Sequence, residues 1–429
     1  MSASGKEGNE GARRRLFGNV AALYLLQGLN YLIPMATLPY LVRVLGIQTY
    51  GLIAFTQAFA QYFVTFTDYG FNFSATRYIA QNKQERSLVV RMFWCVMVVK
   101  ILLMVSGMVI LTAILVFVPR FHAETAYFSV AYLAVVGSVV FPQWYFQGME
   151  QMKHISVLTG AARLVTSGLL FVFVHSPSDA LTAVGLLSAG PLLAGILGFG
   201  VAYLDLRPEF YLPSRHELWE TANDGWHLFI STAAISLYTN TNVFLVGLLA
   251  GNTEAGYFSA AEKLIRALTG LIGPITQAFF PHISALIAEG KAVAVVFIRK
   301  TLRLTGAVSF LGSLVLMTFA NPLAHLLFGK NAAGSVPIIH WIAFLPFLIT
   351  VSNALGIQTM LSFGLDKLFS RILVASGILN VVLAFPLIHF FAAKGAAISV
   401  LIVEAAVTVA MIVVLEGEGV HLFRGTKSA

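Results

Sequence analysis

The chain is 429 residues long, 58% hydrophobic and 11% charged, with a mean hydropathy of +0.82. A water-soluble domain carries roughly a quarter charged residues, so most of this surface faces lipid and a soluble globular fold is excluded. The net charge of +8 resides in short connections between apolar runs, the distribution of topology determinants and not of a nucleic-acid-binding face.

Met1–Arg15 is polar and ends in Arg13, Arg14 and Arg15, and an apolar run follows from Leu16 to Val42. That run is too long for a signal peptide and no small-residue cleavage site precedes the next span, so it reads as a retained first helix. A bilayer core takes about 20 apolar residues per helix. Spans are predicted near 17–42, 49–69, 88–118, 124–148, 154–175, 180–204, 226–249, 255–281, 297–320, 336–361, 370–391 and 395–415. The fold class is an all-α integral membrane protein of about twelve helices.

Pro34 and Pro39 interrupt the first helix, each removing a backbone hydrogen bond. With Gln27, Asn30 and Thr37 beside them, this broken polar span is expected to line a cavity and act as a hinge. Pro274 and Pro346 are weaker candidates for the same role. Asp68, in Thr67-Asp68-Tyr69-Gly70, reads first as a turn or cap residue, with a coupling or ion-pair carboxylate as the alternative. Ser74–Arg86 reads as a short helix at the inner interface. Cys95 is the single cysteine, so no intramolecular disulfide forms.

With the N-terminus inside, 19 Lys and Arg fall in cytoplasmic segments and 4 on the opposite side. The asymmetry places both termini in the cytoplasm. The chain also repeats itself. Gly46-Ile-Gln-Thr-Tyr-Gly51 recurs as Gly251-Asn-Thr-Glu-Ala-Gly256, Gly148-Met-Glu150 matches Gly364-Leu-Asp366, and Gly185 pairs with Gly395. The order and near-constant offset argue for a duplicated six-helix unit inserted twice in one orientation, with a central cavity between pseudo-symmetric lobes. The expected division is 1–204, a cytoplasmic linker 205–225, and 226–429.

Charges at membrane depth are the informative residues, because each costs at least about 2.5–3.5 kcal/mol on insertion scales. At about 1.5 Å per residue, Arg163, Arg266 and Glu404 lie near the midplane, and Lys100 is similarly deep. Glu262, Lys263 and Arg266 share one helix face. Four deep cations against Glu262 and Glu404 leave a surplus of positive charge, which suits a cavity for an anionic group. The competing reading pairs Glu262 with Arg266 structurally, and a lysine such as Lys100 can snorkel. No metal-spaced cluster, phosphate-cradling loop or nucleophile elbow emerges, so catalytic, cofactor and metal residues are none. A coupling ion, H+ or Na+, is left open.

Leu38-Pro39-Tyr-Leu-Val-Arg43-Val-Leu-Gly46 with Tyr50-Gly51, Tyr69-Gly70-Phe71 leading to Ser74-Ala75-Thr76-Arg77, and Pro142-Gln-Trp144-Tyr-Phe146-Gln147-Gly148-Met-Glu150-Gln-Met152 form a distinctive series. Gly256-Tyr257-Phe-Ser259-Ala-Ala-Glu262-Lys263 and Phe280-Pro281-His-Ile-Ser284 continue it. The series resembles the polysaccharide transporter family, the Wzx-type O-antigen flippases of the multidrug/oligosaccharidyl-lipid/polysaccharide exporter (MOP) superfamily. The resemblance implies two six-helix lobes in a V and alternating access in the bacterial inner membrane. The implied substrate is an undecaprenyl-pyrophosphate-linked oligosaccharide, with membrane lipids and the polysaccharide polymerase machinery as further partners. Trp144, Phe146 and Gly148 read as interfacial anchoring and turn geometry. The superfamily's peptidoglycan-precursor branch typically has fourteen spans, and there is room here for twelve. A multidrug antiporter of the same superfamily is the alternative, opposed by the cation surplus. A membrane-embedded polymerase or ligase is opposed by the lack of a large periplasmic loop.

Overall fold

A computed structural model describes residues 33–423, leaving undescribed the side chains at 231, 235 and 238 and at most positions between 271 and 289. Gln27, Asn30 and the basic N-terminal cluster lie outside the described residues, as do the side chains of Pro274, Pro281 and Ser284. The remainder of the first predicted span is a short apolar helix, α1 (Ile33–Leu45). It is followed by α2 (Ile47–Asp68), α3 (Phe71–Asn82) and α4 (Arg86–Phe117). The region predicted as one span at 124–148 is built in pieces after a short α5 (Pro119–His122): α6 (Thr125–Ala131), α7 (Leu133–Val140) and α8 (Gln143–Gly148). Pro142 cannot donate a backbone bond, and it marks the break before α8. Then come α9 (Met152–Phe173) and α10 (Ala180–Leu206), which complete the first lobe.

The second lobe contains α11 (Arg215–Leu249), α12 (Asn252–Glu289) and α13 (Lys291–Phe328). It continues with α14 (Ser335–Ile342) and α15 (Leu345–Asn353), a π-helical stretch over Ala354–Leu361, and α16 (Asp366–Gly417). The last two predicted spans are the two halves of α16, distinct helices that meet at a kink at Ala392, where φ is 50°. Among the described residues no strand occurs; with α6–α8 and α14 to the π-helical stretch each taken as one segment, seven helical segments are long and apolar enough to cross a membrane, eight if the bent halves of α11 count as one span.

Lipid tails are as apolar as leucine, so helix association in a membrane relies on close packing and interhelical hydrogen bonds. The first lobe shows this where α7 crosses α10: a Cβ on Gly137 would lie 2.4 Å from Leu192 N, and one on Gly195 would lie 2.5 Å from Gly137 O. An aromatic block of Phe55, Phe59, Phe121, Phe128 and Phe244 fills the junction of the lobes, with ring centroids 5.0–5.9 Å apart.

Trp144 and Phe146 are not interfacial anchors. Both are completely buried, and Trp144 packs against Phe93 at 5.5 Å within the core that α3, α4 and α8 share. Pro142 breaks the helix below the surface, turning this motif inward. Thr76 of α3 donates to Trp144 O at 3.2 Å, and Phe71, Ser74, Ala75 and Ile79 of α3 are buried. The expected short helix is present, with that face packed and Phe73 and Arg77 exposed on the other.

The lobes meet most tightly at the end that carries the α1–α2 and α11–α12 turns. Gly46 and Gly251, repeat partners, both cap their helices with positive φ, 78° and 90°. Arg43 of α1 donates to the carbonyls of Leu326 and Leu327 in α13, and Asn331 returns a bond to Val42 O at 3.0 Å. Arg120 donates to Asn252 Oδ1 at 3.0 Å and to Gly247 O at 3.3 Å, while Asn252 donates to Glu124 at 2.6 Å. Along the rest of α2, contact with the second lobe passes to α11 through Tyr62–Thr241, Thr65–Ser236 and the stacked Tyr69–Phe229 pair.

Candidate functional site

Among the described residues, three sizeable cavities that take in the predicted deep charges lie in and between the lobes. The first, of about 500 Å³, belongs mainly to the first lobe. Its wall takes Pro34 and Thr37 from α1, Gln57 and Asp68 from α2, Ser138 from α7, Thr159 and Arg163 from α9, and Pro191 from α10. Among the described residues, Lys263 is its one lining residue from the second lobe. The Lys263 ammonium also stands 5.3 Å from the centroid of the Tyr50 ring, within cation–π range. Arg163 follows the start of α9 by eleven residues, about 16 Å of helix, and its side chain is accessible from the cavity.

Asp68 is not a cap. Tyr69 closes α2 in the left-handed conformation at φ 46°, which frees the Asp68 carboxylate to turn into the lobe. There Lys100 Nζ reaches Asp68 Oδ1 at 3.0 Å and also donates to Ser138 O at 2.9 Å. Lys100 therefore does not snorkel; its side chain is 2% exposed and that of Asp68 26%. Burying an ammonium without a partner would cost several kcal/mol, and Asp68 supplies that partner.

The second cavity, about 270 Å³, lies between the lobes against Gln57, Gln61, Glu262, Lys263 and Arg266. The third, about 380 Å³, sits within the second lobe and includes Asn242, Glu262, Arg266, Ser352, Asn380 and Glu404. Gln57 and Lys263 line both the first and second cavities, and Glu262 and Arg266 both the second and third. Arg266 Nη2 meets Glu262 Oε1 at 2.8 Å, and Arg266 also donates to Thr239 O. Glu404 is buried and accepts from Ser352 at 2.6 Å. Arg163 and Lys263 thus share a cavity, whereas Arg266 borders the other two. Pro34 lines the first cavity, and both Pro34 and Pro39 border a smaller pocket that also touches Lys263.

Sequence reasoning did not single out Ser138, Gln57 or Thr159 for the cavity wall, because isolated polar residues in apolar helices carry no spacing signal. It counted Arg120 and Arg91 only as topology charges. Arg91 of α4 reaches Glu217 at the start of α11, and Tyr211 donates to the same carboxylate. Ser214 and Glu217 form a reciprocal cap there, and the sequence Ser214-Arg-His-Glu217 could have announced it. Bonds from Ser214, then from Tyr211, with Arg91 adding to them, pull the Glu217 carboxyl down to about 2.

Two curated relatives are both named "Putative O-antigen transporter". One, from Escherichia coli (strain K12), is 38% identical over 394 residues, covering 92% of this chain and 95% of its own. The other, from Shigella dysenteriae, is 29% identical over 401 residues, covering 92% and 98%. Among solved structures, the lipid II flippase MurJ in an inward closed conformation superimposes with a TM-score of 0.70 at 9% identity, over 92% of this chain and 87% of MurJ. An inward-facing multidrug resistance MATE transporter of the MOP superfamily gives 0.63 at 14% identity, over 93% and 100%. These likenesses establish the two-lobed fold of that superfamily. The family model described as "Polysaccharide biosynthesis protein" matches residues 16–287. The chain is a multi-pass membrane protein with a transporter's fold, and it belongs to the polysaccharide biosynthesis protein family.

Proposed function

We propose that this protein flips an undecaprenyl-pyrophosphate-linked oligosaccharide from the cytoplasmic to the periplasmic leaflet of the bacterial inner membrane by alternating access. The observation that carries the reading is the first cavity, where Arg163 of one lobe and Lys263 of the other line a single chamber. The Asp68 carboxylate on its wall is matched by Lys100 behind it, so among the described lining residues positive charge exceeds negative. A pyrophosphate entering from the inner leaflet sheds water, and a guanidinium replaces that water with charge-assisted, bidentate hydrogen bonds. Organic cations, the cargo of an antiporter, would be repelled by the same pair.

The relatives' shared name and the basic excess of the loops on the α10–α11 linker side support this substrate class and orientation. With both termini cytoplasmic, the tight junction near Gly46 and Gly251 closes the periplasmic end, and the carrier enters from the opposite side. Asp68, Glu262 and Glu404 are the carboxylates available for ion coupling. Cells lacking the gene should accumulate the completed lipid-linked oligosaccharide on the cytoplasmic side of the membrane. Intermediate levels equal to wild type, with surface polysaccharide intact, would overturn the reading.

A further inference from the structure

The Asp68–Lys100 pair is asymmetric. Lys100 is hidden, whereas Asp68 lines the first cavity and keeps a quarter of its side chain exposed. Both bonds that Asp68 accepts fall on the same atom: Oδ1 takes Lys100 Nζ at 3.0 Å and Ser138 Oγ at 3.4 Å. Neither of these bonds occupies Oδ2. A carboxylate is an acceptor only, with room for about four donors over its two oxygens, so the cavity presents acceptor capacity as well as cations.

A pyrophosphate offers almost no donors at neutral pH, and a second anion beside it is repelled. The group bonded to the pyrophosphate in a lipid-linked glycan is a sugar, whose hydroxyl or amide N–H groups are donors. We infer that Asp68 is a specificity-determining contact for the sugar joined to the pyrophosphate, accepting a charge-assisted hydrogen bond at Oδ2. Lys100 is its positioning residue. It holds the carboxylate at a fixed place, and it spares the neighbouring pyrophosphate most of the repulsion. The cavity then has two ends, with Arg163 and Lys263 for the phosphates and Asp68 with Ser138 for the first sugar.

This rests on the flippase reading. The test uses the purified protein in proteoliposomes and synthetic polyprenyl-pyrophosphate monosaccharides of the native first sugar, each lacking one hydroxyl or, for an acetamido sugar, its N–H. Wild type should move one of these analogues roughly tenfold or more slowly than the intact compound, the loss expected for one hydrogen bond to a charged group. Asp68→Asn should move the intact compound and that analogue at closely similar, reduced rates. Lys100→Met should narrow the discrimination as well. If Asp68→Asn alone fails to insert, the neutral pair Asp68→Asn with Lys100→Met carries the same test, since removing both charges avoids an unpaired buried ion. Equal slowing of every compound by Asp68→Asn, with the wild-type ratios preserved, would overturn the inference and leave the flippase reading standing. So would a wild-type protein that discriminates at no position. Failure of wild type to move any polyprenyl-pyrophosphate sugar would overturn both.

Discussion

Gly51 of α2 and Gly256 of α12, repeat partners in the sequence, lie against each other where the lobes join. A Cβ on Gly51 would stand 2.6 Å from Gly256 N and 1.7 Å from Asn252 O, and one on Gly256 would stand 2.2 Å from Ile47 O. The atoms met are backbone, which cannot rotate away. The two helices start at this end, and the described bond between them, Tyr50 to Ser259 at 3.4 Å, joins the first turn of α2 to a position about two turns into α12. Further along, the second cavity opens between Gln57 or Gln61 on one side and Glu262 or Arg266 on the other.

Alanine at either glycine should therefore prevent the closed junction while leaving each lobe intact. Forcing a methyl group into such a contact costs about 1–3 kcal/mol. A Tyr50→Cys, Ser259→Cys pair in a Cys95→Ala background should crosslink readily with a short bifunctional thiol reagent that spans the lost ring, and markedly less when Gly51→Ala is added. Undiminished crosslinking would mean that the junction tolerates the methyl.

The repeat was legible because both copies need a glycine at equivalent turns, and the deep charges were legible because lipid makes them conspicuous. Their pairing was not. Asp68 sits at the end of a predicted span, where a carboxylate is ordinary, and only the tertiary arrangement of α2, α4 and α7 shows that it answers Lys100. Trp144 misled for a related reason: a tryptophan near a helix end is normally interfacial, and the Pro142 break that buries it depends on how α8 packs against α3. Arg163 and Lys263 are 100 residues apart in sequence, so nothing short of the folded lobes could place them around one cavity.

The Glu262–Arg266 pair separates two roles. Arg266 is half exposed, and accessible ion pairs contribute only about 0–1 kcal/mol, so Arg266→Gln should barely change thermal stability. It leaves the Glu262 carboxylate facing the passage between cavities, and transport of an anionic head group should fall. Glu262→Gln with Arg266→Gln restores neutrality and should recover most transport. Continued loss in the double variant would make Arg266 a substrate contact in its own right.

The linker contact has a defined pH range. Glu217 titrates at about 2, held down first by Ser214, then by Tyr211, with help from Arg91, against an ordinary glutamate value near 4.3. A depressed carboxylate contributes stability that is complete above the ordinary value and is lost as pH falls toward the folded one. The difference in melting temperature between wild type and Glu217→Gln in detergent should be constant above about pH 5.5 and shrink as the pH drops through 4 toward 2. A difference that grows on acidification would contradict this assignment.

Pro34 lines the first cavity, and Pro34 and Pro39 both border the pocket beside Lys263. Pro39 removes a backbone bond from α1 and Pro34 stands at its second described residue, so the helix can bend there as the lobes rock. Replacing both with alanine should straighten and stiffen α1, slowing transport while expression and insertion remain normal. Wild-type levels of surface polysaccharide in the double variant would show that the prolines are static.

The most direct measurement is flipping itself. Purified protein in proteoliposomes loaded with undecaprenyl-pyrophosphate-linked oligosaccharide on one leaflet should bring the glycan within reach of a membrane-impermeant lectin on the other. The rate should be well above that of protein-free vesicles and should drop at least tenfold when Arg163 and Lys263 are both replaced by glutamine. Glycan exposure no faster than in protein-free vesicles, or undiminished by the double replacement, would contradict the account.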